Sequence, residues 1–209
     1  MLKSKSTINI KTILPENGMK QKFDRKIFTL KLLFVDLGFL LGKTPQIITA
    51  LRNREIGKSF MEKIMTIVTA VNGCTYCTWF HAKQAVSTGI SEEEVKNMLN
   101  LQFKADASDY EIIGLLYAQH YAETNRNPDK EMTDKLFMFY GEKTANHIIL
   151  FIRMIFFGNL DGNTFDAFLS RLKGNKAENS NVIFEFFFFI IHAPIMLPLI
   201  PATKKYRNT

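Results

Sequence analysis

The sequence predicts an all-α protein, and three observations carry that prediction. Apolar residues recur at helical spacing along most of the chain. The interruptions are Gly, Asn and Pro, without the alternating runs and two-residue turns of hairpins. A serine with an acid three residues later stands before two of the apolar runs, at Ser91/Glu94 and Ser108/Glu111, which is how a helix start is capped. At 209 residues and 46% hydrophobic, the chain fits one domain, or one domain with extensions, and can bury a substantial core.

Taken in order, residues 1–22 read as a flexible basic arm. A first helix is expected from Asp24 to Leu41, carried by Phe28, Leu32, Leu33, Val35 and Leu40. Gly42 and Pro45 end it and open a shorter helix through Leu51. The next helix, Ile56 to Val71, is apolar around most of its circumference and should be mostly buried. Its polar stripe is Glu62, Thr66 and Thr69. Asn72-Gly73 breaks it, and Cys74 opens a helix that runs to Thr88, with Gly89 as its stop. The two capped helices follow, the second reaching Thr124. Beyond a turn at Pro128, helices are expected over 131–139 and 143–157, separated by Gly141, then over 164–172. A Phe-rich helix from Val182 to about His192 is the last. The organisation expected is a core over 23–125, a helical extension over 126–202 packed on the core or in an oligomer interface, and a basic tail over 203–209.

The formal charge of +7 lies in the tails. Residues 1–26 carry +5 and residues 203–209 a further +3, so the rest is near neutral. A nucleic-acid footprint needs basic charge clustered on a folded face, so no nucleic-acid partner is expected. The apolar residues Ile8, Ile10, Ile13 and Leu14 are interrupted by polar ones, unlike the core of a signal peptide, and a cytoplasmic location is the expectation.

Both cysteines fall in one motif, Cys74-Thr75-Tyr76-Cys77-Thr78-Trp79-Phe80-His81, with Glu62 upstream. Two thiols three residues apart can close a small disulfide ring, so the spacing points to redox chemistry in a reducing compartment. On a helix, positions 74, 77 and 81 share a face. The helix start favours a thiolate at Cys74. The imidazole, one turn from Cys77, favours Cys77. The spacing leaves both open.

The motif has other readings. A thioredoxin-like fold would place the cysteines after a strand, but the preceding segment has helical length and polar spacing. A zinc site would need a fourth ligand, with Glu62, His120 or His147 as the candidates. Haem attachment needs His directly after the second cysteine, where Thr78 stands. Plainer roles are a solvated Glu62, a packing His81 and inert buried thiols. His120, His147 and His192 have no matching partners in sequence and read as structural. Tyr76, Trp79 and Phe80 would flank the site; core packing is the first reading and an apolar lining for an organic hydroperoxide the second.

Glu62, the Cys74/Cys77 pair and His81, at these spacings, resemble the signature of the AhpD-like alkylhydroperoxidase, or carboxymuconolactone decarboxylase-like, family. The surrounding text from Thr69 to Val95 is similar too: buried helix, Asn-Gly break, redox helix, Gly stop, capped helix. The resemblance covers residues 45–120, and the stretch from Gly158 to Asp166 looks like an extension found in some relatives. It implies an all-helical AhpD-like bundle that oligomerises as trimers or hexamers. The implied activity is thiol-dependent hydroperoxide reduction, with disulfide reduction or a redox-sensing or zinc-stabilised non-enzymatic role as the alternatives. In the implied roles Cys77 attacks the peroxide, Cys74 resolves, and Glu62 with His81 relays the proton. No bound cofactor or metal is implied; the reductant is an external dithiol, such as a lipoyl group on a partner protein. The characterised branch has histidine immediately before its second cysteine, where this chain has Tyr76, which implies a shorter relay here. The true ring decarboxylases of the superfamily generally lack the paired cysteines.

The Phe-rich end is the second unusual feature. Glu185, Pro194, Pro198 and Pro201 argue against a regular membrane-spanning helix. Burial in an oligomer is the first expectation, and peripheral membrane contact through 182–207 the second.

Overall fold

The computed structural model describes residues 23–52, 55–104 and 107–203. The basic arm and all of the basic tail beyond Thr203 lie outside the described residues. Among the described residues the protein is all-α, with no strand. The helices are α1 (Leu30–Gly42), α2 (Thr44–Leu51), α3 (Lys58–Asn72), α4 (Thr75–Ser87), α5 (Glu92–Leu99), α6 (Asp109–Glu123), α7 (Lys130–Leu172), α8 (Val182–Met196) and α9 (Ile200–Thr203).

Helix α3 is the hub, packed against α4, α5, α6 and α7. Its apolar residues make this possible: Ile64, Ile67 and Val68 are fully enclosed. The expected polar stripe is enclosed as well, so Glu62, Thr66 and Thr69 face the interior and not water. Lys63 also lies buried, tied to Glu94 of α5 at 2.7 Å and to Glu111 of α6 at 2.9 Å. The serine caps act as the sequence predicts. Ser91 Oγ accepts from the Glu94 amide at 3.1 Å, and Ser108 N donates to Glu111 at 3.3 Å.

Three elements differ from expectation. Residues 23–29 are not helical; they run as a strap across α7, and α1 begins only at Leu30. Long-range contacts outweigh local helical propensity there: Phe23, Ile27 and Phe28 are buried, and the Phe28 amide donates to Thr164 Oγ1 at 2.8 Å. Gly141 breaks α7 as expected, with φ 71° and ψ 168°, but the break expected between residues 157 and 164 is missing. Asn159 and Asn163 spend their side chains on bonds to α3 instead of on local turns, so the helix continues. The Phe-rich helix also runs past His192, through Pro194 to Met196, and a 3-10 turn at Leu197–Leu199 carries it into α9. Pro198 sits in the first turn of that 3-10 segment, where its missing N–H costs little. Lys130–Leu172 and Val182–Thr203 are therefore both long and apolar enough to cross a membrane by length and composition.

Candidate redox site

Gly73 closes α3 in the left-handed conformation (φ 67°), which a residue with a Cβ adopts only with strain. The chain then turns directly into α4 with Cys74 as its N-cap. Cys74 Sγ accepts a hydrogen bond from the Cys77 amide at 3.3 Å. Both thiols are free; Cys74 is fully buried and Cys77 half-buried. The Cys77 thiol donates to the Gly158 carbonyl of α7 at 3.5 Å.

His81, one turn beyond Cys77 on α4, is buried and meets Glu62 Oε2 through Nδ1 at 2.8 Å. Glu62 is only 6% exposed, which removes the reading of a solvated carboxylate. A carboxylate on Nδ1 fixes the ring orientation and leaves Nε2 as the nitrogen that can exchange a proton. The Phe80 ring stands edge-on to the imidazole at 5.1 Å. Phe80 is itself 48% exposed, so it is not the core residue expected. Tyr76 is core, set edge-on to Phe165 at 6.1 Å, and Trp79 lies under the Lys83 ammonium at 4.3 Å.

Burial governs the Cys74 thiol. It pushes the Cys74 thiol well above its ordinary value, and the nearby Cys77 thiol adds to this. The Cys77 amide and the Arg25 charge pull the other way and are smaller. The helix start therefore does not make Cys74 the acidic thiol, because desolvation outweighs it.

Sequence reasoning missed the support beneath the motif. Gly162 faces Cys74 so closely that a Cβ there would stand 2.7 Å from Sγ and 3.1 Å from the Tyr76 ring. Asn159 bridges α7 to α3, accepting from Asn72 at 3.2 Å and donating to Thr69 at 3.0 Å. Asn163 donates to the carbonyls of Asn72 at 2.9 Å and Lys26 at 3.1 Å. Arg25 reaches from the strap to Gly73 O (3.2 Å), Asn163 Oδ1 (3.2 Å) and Asp166 Oδ2 (3.1 Å). The Tyr76 hydroxyl donates to Asp166 Oδ1 at 3.0 Å. Burial raises the Asp166 carboxyl, and the Arg25 charge partly offsets that rise. The signal in the sequence was the run of polar and small residues at 158, 159, 162, 163 and 166, spaced three and four apart on one helical face.

The other histidines stand apart from this cluster. His120 pairs with Asp129 at 3.2 Å and His192 with Asp161 at 3.0 Å, while His147 is buried on α7. Among the described residues no three His, Cys, Asp or Glu side chains converge as a metal-ligand set. No family model, curated protein or solved structure matches this chain.

Proposed function

We propose that this protein is a thiol-dependent hydroperoxide reductase of AhpD-like type, with Cys77 as attacking thiol, Cys74 as resolving thiol, and Glu62 and His81 as the proton relay. The observation that carries the reading is the buried Glu62–His81 contact at 2.8 Å, one helical turn from a half-buried thiol whose neighbour is its own helix cap. The exposure difference supports these roles. Peroxide reaches the half-buried sulfur, and the enclosed, proton-holding sulfur is kept from reacting first.

His81 takes the proton of Cys77, and the thiolate attacks one oxygen of the O–O bond. That bond breaks, Cys77 becomes a sulfenic acid, and the departing alkoxide takes the proton from His81 to leave as an alcohol. Cys74 then attacks the Cys77 sulfur and loses its proton, hydroxide departs, and the two combine as water, leaving a Cys74–Cys77 disulfide. An external dithiol, such as a lipoyl group carried by a partner protein, reduces that disulfide and is itself oxidised.

The test is intact mass after slightly substoichiometric tert-butyl hydroperoxide is added to the reduced protein. The expected result is a loss of about 2 Da in the wild type, with no such loss in Cys77→Ser. An unchanged wild-type mass, with both thiols titrating as free in denaturant, would overturn the proposal.

A further inference from the structure

The helices at the two ends of the fold are patterned inside out. On α1 the one acid, Asp36, is turned inward, where Arg126 holds it at 2.7 Å and Arg153 stands at 3.9 Å. The outward side carries Phe34 and Leu41, 64% and 66% exposed. The rod over 182–203 repeats the arrangement. Its one acid, Glu185, is fully enclosed and paired with Arg171 at 2.7 Å, and His192 turns toward Asp161 at 3.0 Å. Its outward side carries Ile183, Phe187, Ile191 and Ile195 at 66%, 59%, 70% and 68% exposure. A surface helix in water places its charges outward and its hydrocarbon inward. Here two helices do the reverse, and an exposed apolar surface of this extent marks a contact with something apolar.

The rod meets the strap that leads into α1. Phe188 of α8 packs against Phe28, two residues before α1, with ring centroids 6.3 Å apart. The rod is 22 residues with a mean hydropathy of 2.1 and only 11% of its most apolar window buried. At 1.5 Å per residue it is about 33 Å long. It lies along the protein, since α8 packs on α7 and α9 on α4.

Charge and the lack of polar groups on the outward side decide what covers this face. A protein partner supplies roughly one hydrogen bond per 100–200 Å² of interface, yet Ile183, Phe187, Ile191 and Ile195 offer no side-chain donor or acceptor. The flanking charges are net basic: Lys173, Lys176 and the single acid Glu178 precede α8, and Lys204, Lys205 and Arg207 follow α9 in the sequence. No Asp or Glu occurs after Glu185. Lys31, Lys43 and Arg52 belong to the stretch of α1 and α2, where Asp36 is the only acid.

We propose that the protein lies on a phospholipid bilayer with anionic headgroups, its 182–203 rod and α1–α2 pair seated in the headgroup and upper acyl region and Lys31, Lys43, Arg52, Lys173 and Lys176 at the headgroups. This contact is independent of the redox assignment.

The test is flotation of the full-length protein with vesicles of phosphatidylcholine alone and of phosphatidylcholine with one quarter phosphatidylglycerol. The wild type should float with the anionic vesicles at least about ten-fold more than with the neutral ones, and less as salt rises. The Phe187→Glu/Ile191→Glu variant changes two outward positions and should stay behind with its helical circular dichroism intact. Failure of the wild type to float, equal flotation with neutral vesicles, or flotation of the variant would each overturn the proposal. A wild type that does not float but whose self-association is broken by the same variant, read by light scattering, would assign the face to a second copy instead.

Discussion

Gly162 of α7 is the floor under Cys74. The space between them is too small for a methyl group, since a Cβ at Gly162 would stand 2.7 Å from a sulfur that is itself fully buried. The Tyr76 ring closes the same gap from the side at 3.1 Å. Gly162→Ala must therefore move the start of α4 or the α7 backbone. Overpacking of this kind costs about 1–3 kcal/mol. We expect a lower urea midpoint and slower closure of the Cys74–Cys77 disulfide under mild oxidant. Gly158→Ala serves as a control, because a Cβ there meets nothing within 4 Å. Equal behaviour of the two variants would remove the packing argument.

The two thiols should differ sharply toward alkylating agents. Cys74 is enclosed, and its burial holds the proton on, so its thiolate is scarce near neutral pH. Iodoacetamide at about pH 7.5 should label Cys77 at least about ten-fold faster, read by peptide mass mapping in the folded protein. The raised Cys74 value also sets a stability trend. A group whose folded value lies above its unfolded one supports the fold below the unfolded value and loses that support as pH rises through the folded one. Wild-type stability should then fall above about pH 8.5, and Cys74→Ala should flatten that fall in urea titrations. Faster labelling of Cys74 would reverse the assignment of the two thiols.

Asp166 offers a second titration. Burial raises its carboxyl and Arg25 only partly compensates, so the folded chain holds this proton more tightly than the unfolded one. Its contribution is complete below the ordinary carboxylate value, about pH 4, and is lost as pH rises through the raised folded value. The stability advantage of the wild type over Asp166→Asn should shrink from about pH 4 upward. Urea midpoints of both proteins at stepped pH give the difference directly. An advantage that grows with pH would mean that Arg25 outweighs burial.

The helical class and most helix starts were readable because they depend on neighbours in sequence. Ser91 and Ser108 cap the residues three positions on, and the Asn72-Gly73 break needs only the left-handed backbone that glycine permits. Glu62 and His81 were readable as a pair through the motif they resemble, though their mutual burial was not. The strap over residues 23–29 was not readable, because Arg25 and Phe28 answer to Asp166 and Thr164, far along the chain. The stretch from Gly158 to Asp166 misled for the same reason. Its glycines and asparagines read as a break between helices, yet Gly162, Asn159 and Asn163 serve as close-approach and bonding positions for α3 and α4. The prolines after His192 stand beyond the expected helix end, yet Pro194 lies inside α8, Pro198 in the 3-10 turn and Pro201 in α9.

Arg25 holds three elements together and should be the most costly single charge to remove from the site. Its guanidinium meets the Gly73 carbonyl at the α3–α4 turn, and Asn163 and Asp166 on α7. Truncation to Met would leave the enclosed Asp166 carboxylate and the Gly73 carbonyl without their guanidinium. Breaking a buried pair from one side costs roughly 3–5 kcal/mol, and the value here should fall near the lower end because the Arg25 side chain is 24% exposed. Most of that cost is the stranded charge, so neutralising it should restore stability. We expect Arg25→Met to lower the urea midpoint strongly, and Arg25→Met/Asp166→Asn to recover a substantial part of the loss. A double-mutant cycle built from these two substitutions measures the coupling. Additive losses would show that Arg25 acts through its other contacts, at Gly73 and Asn163, and not through Asp166. Arg25→Met that unfolds as readily with Asp166→Asn added as without it would discard the ion pair as the tie between the strap and the redox turn.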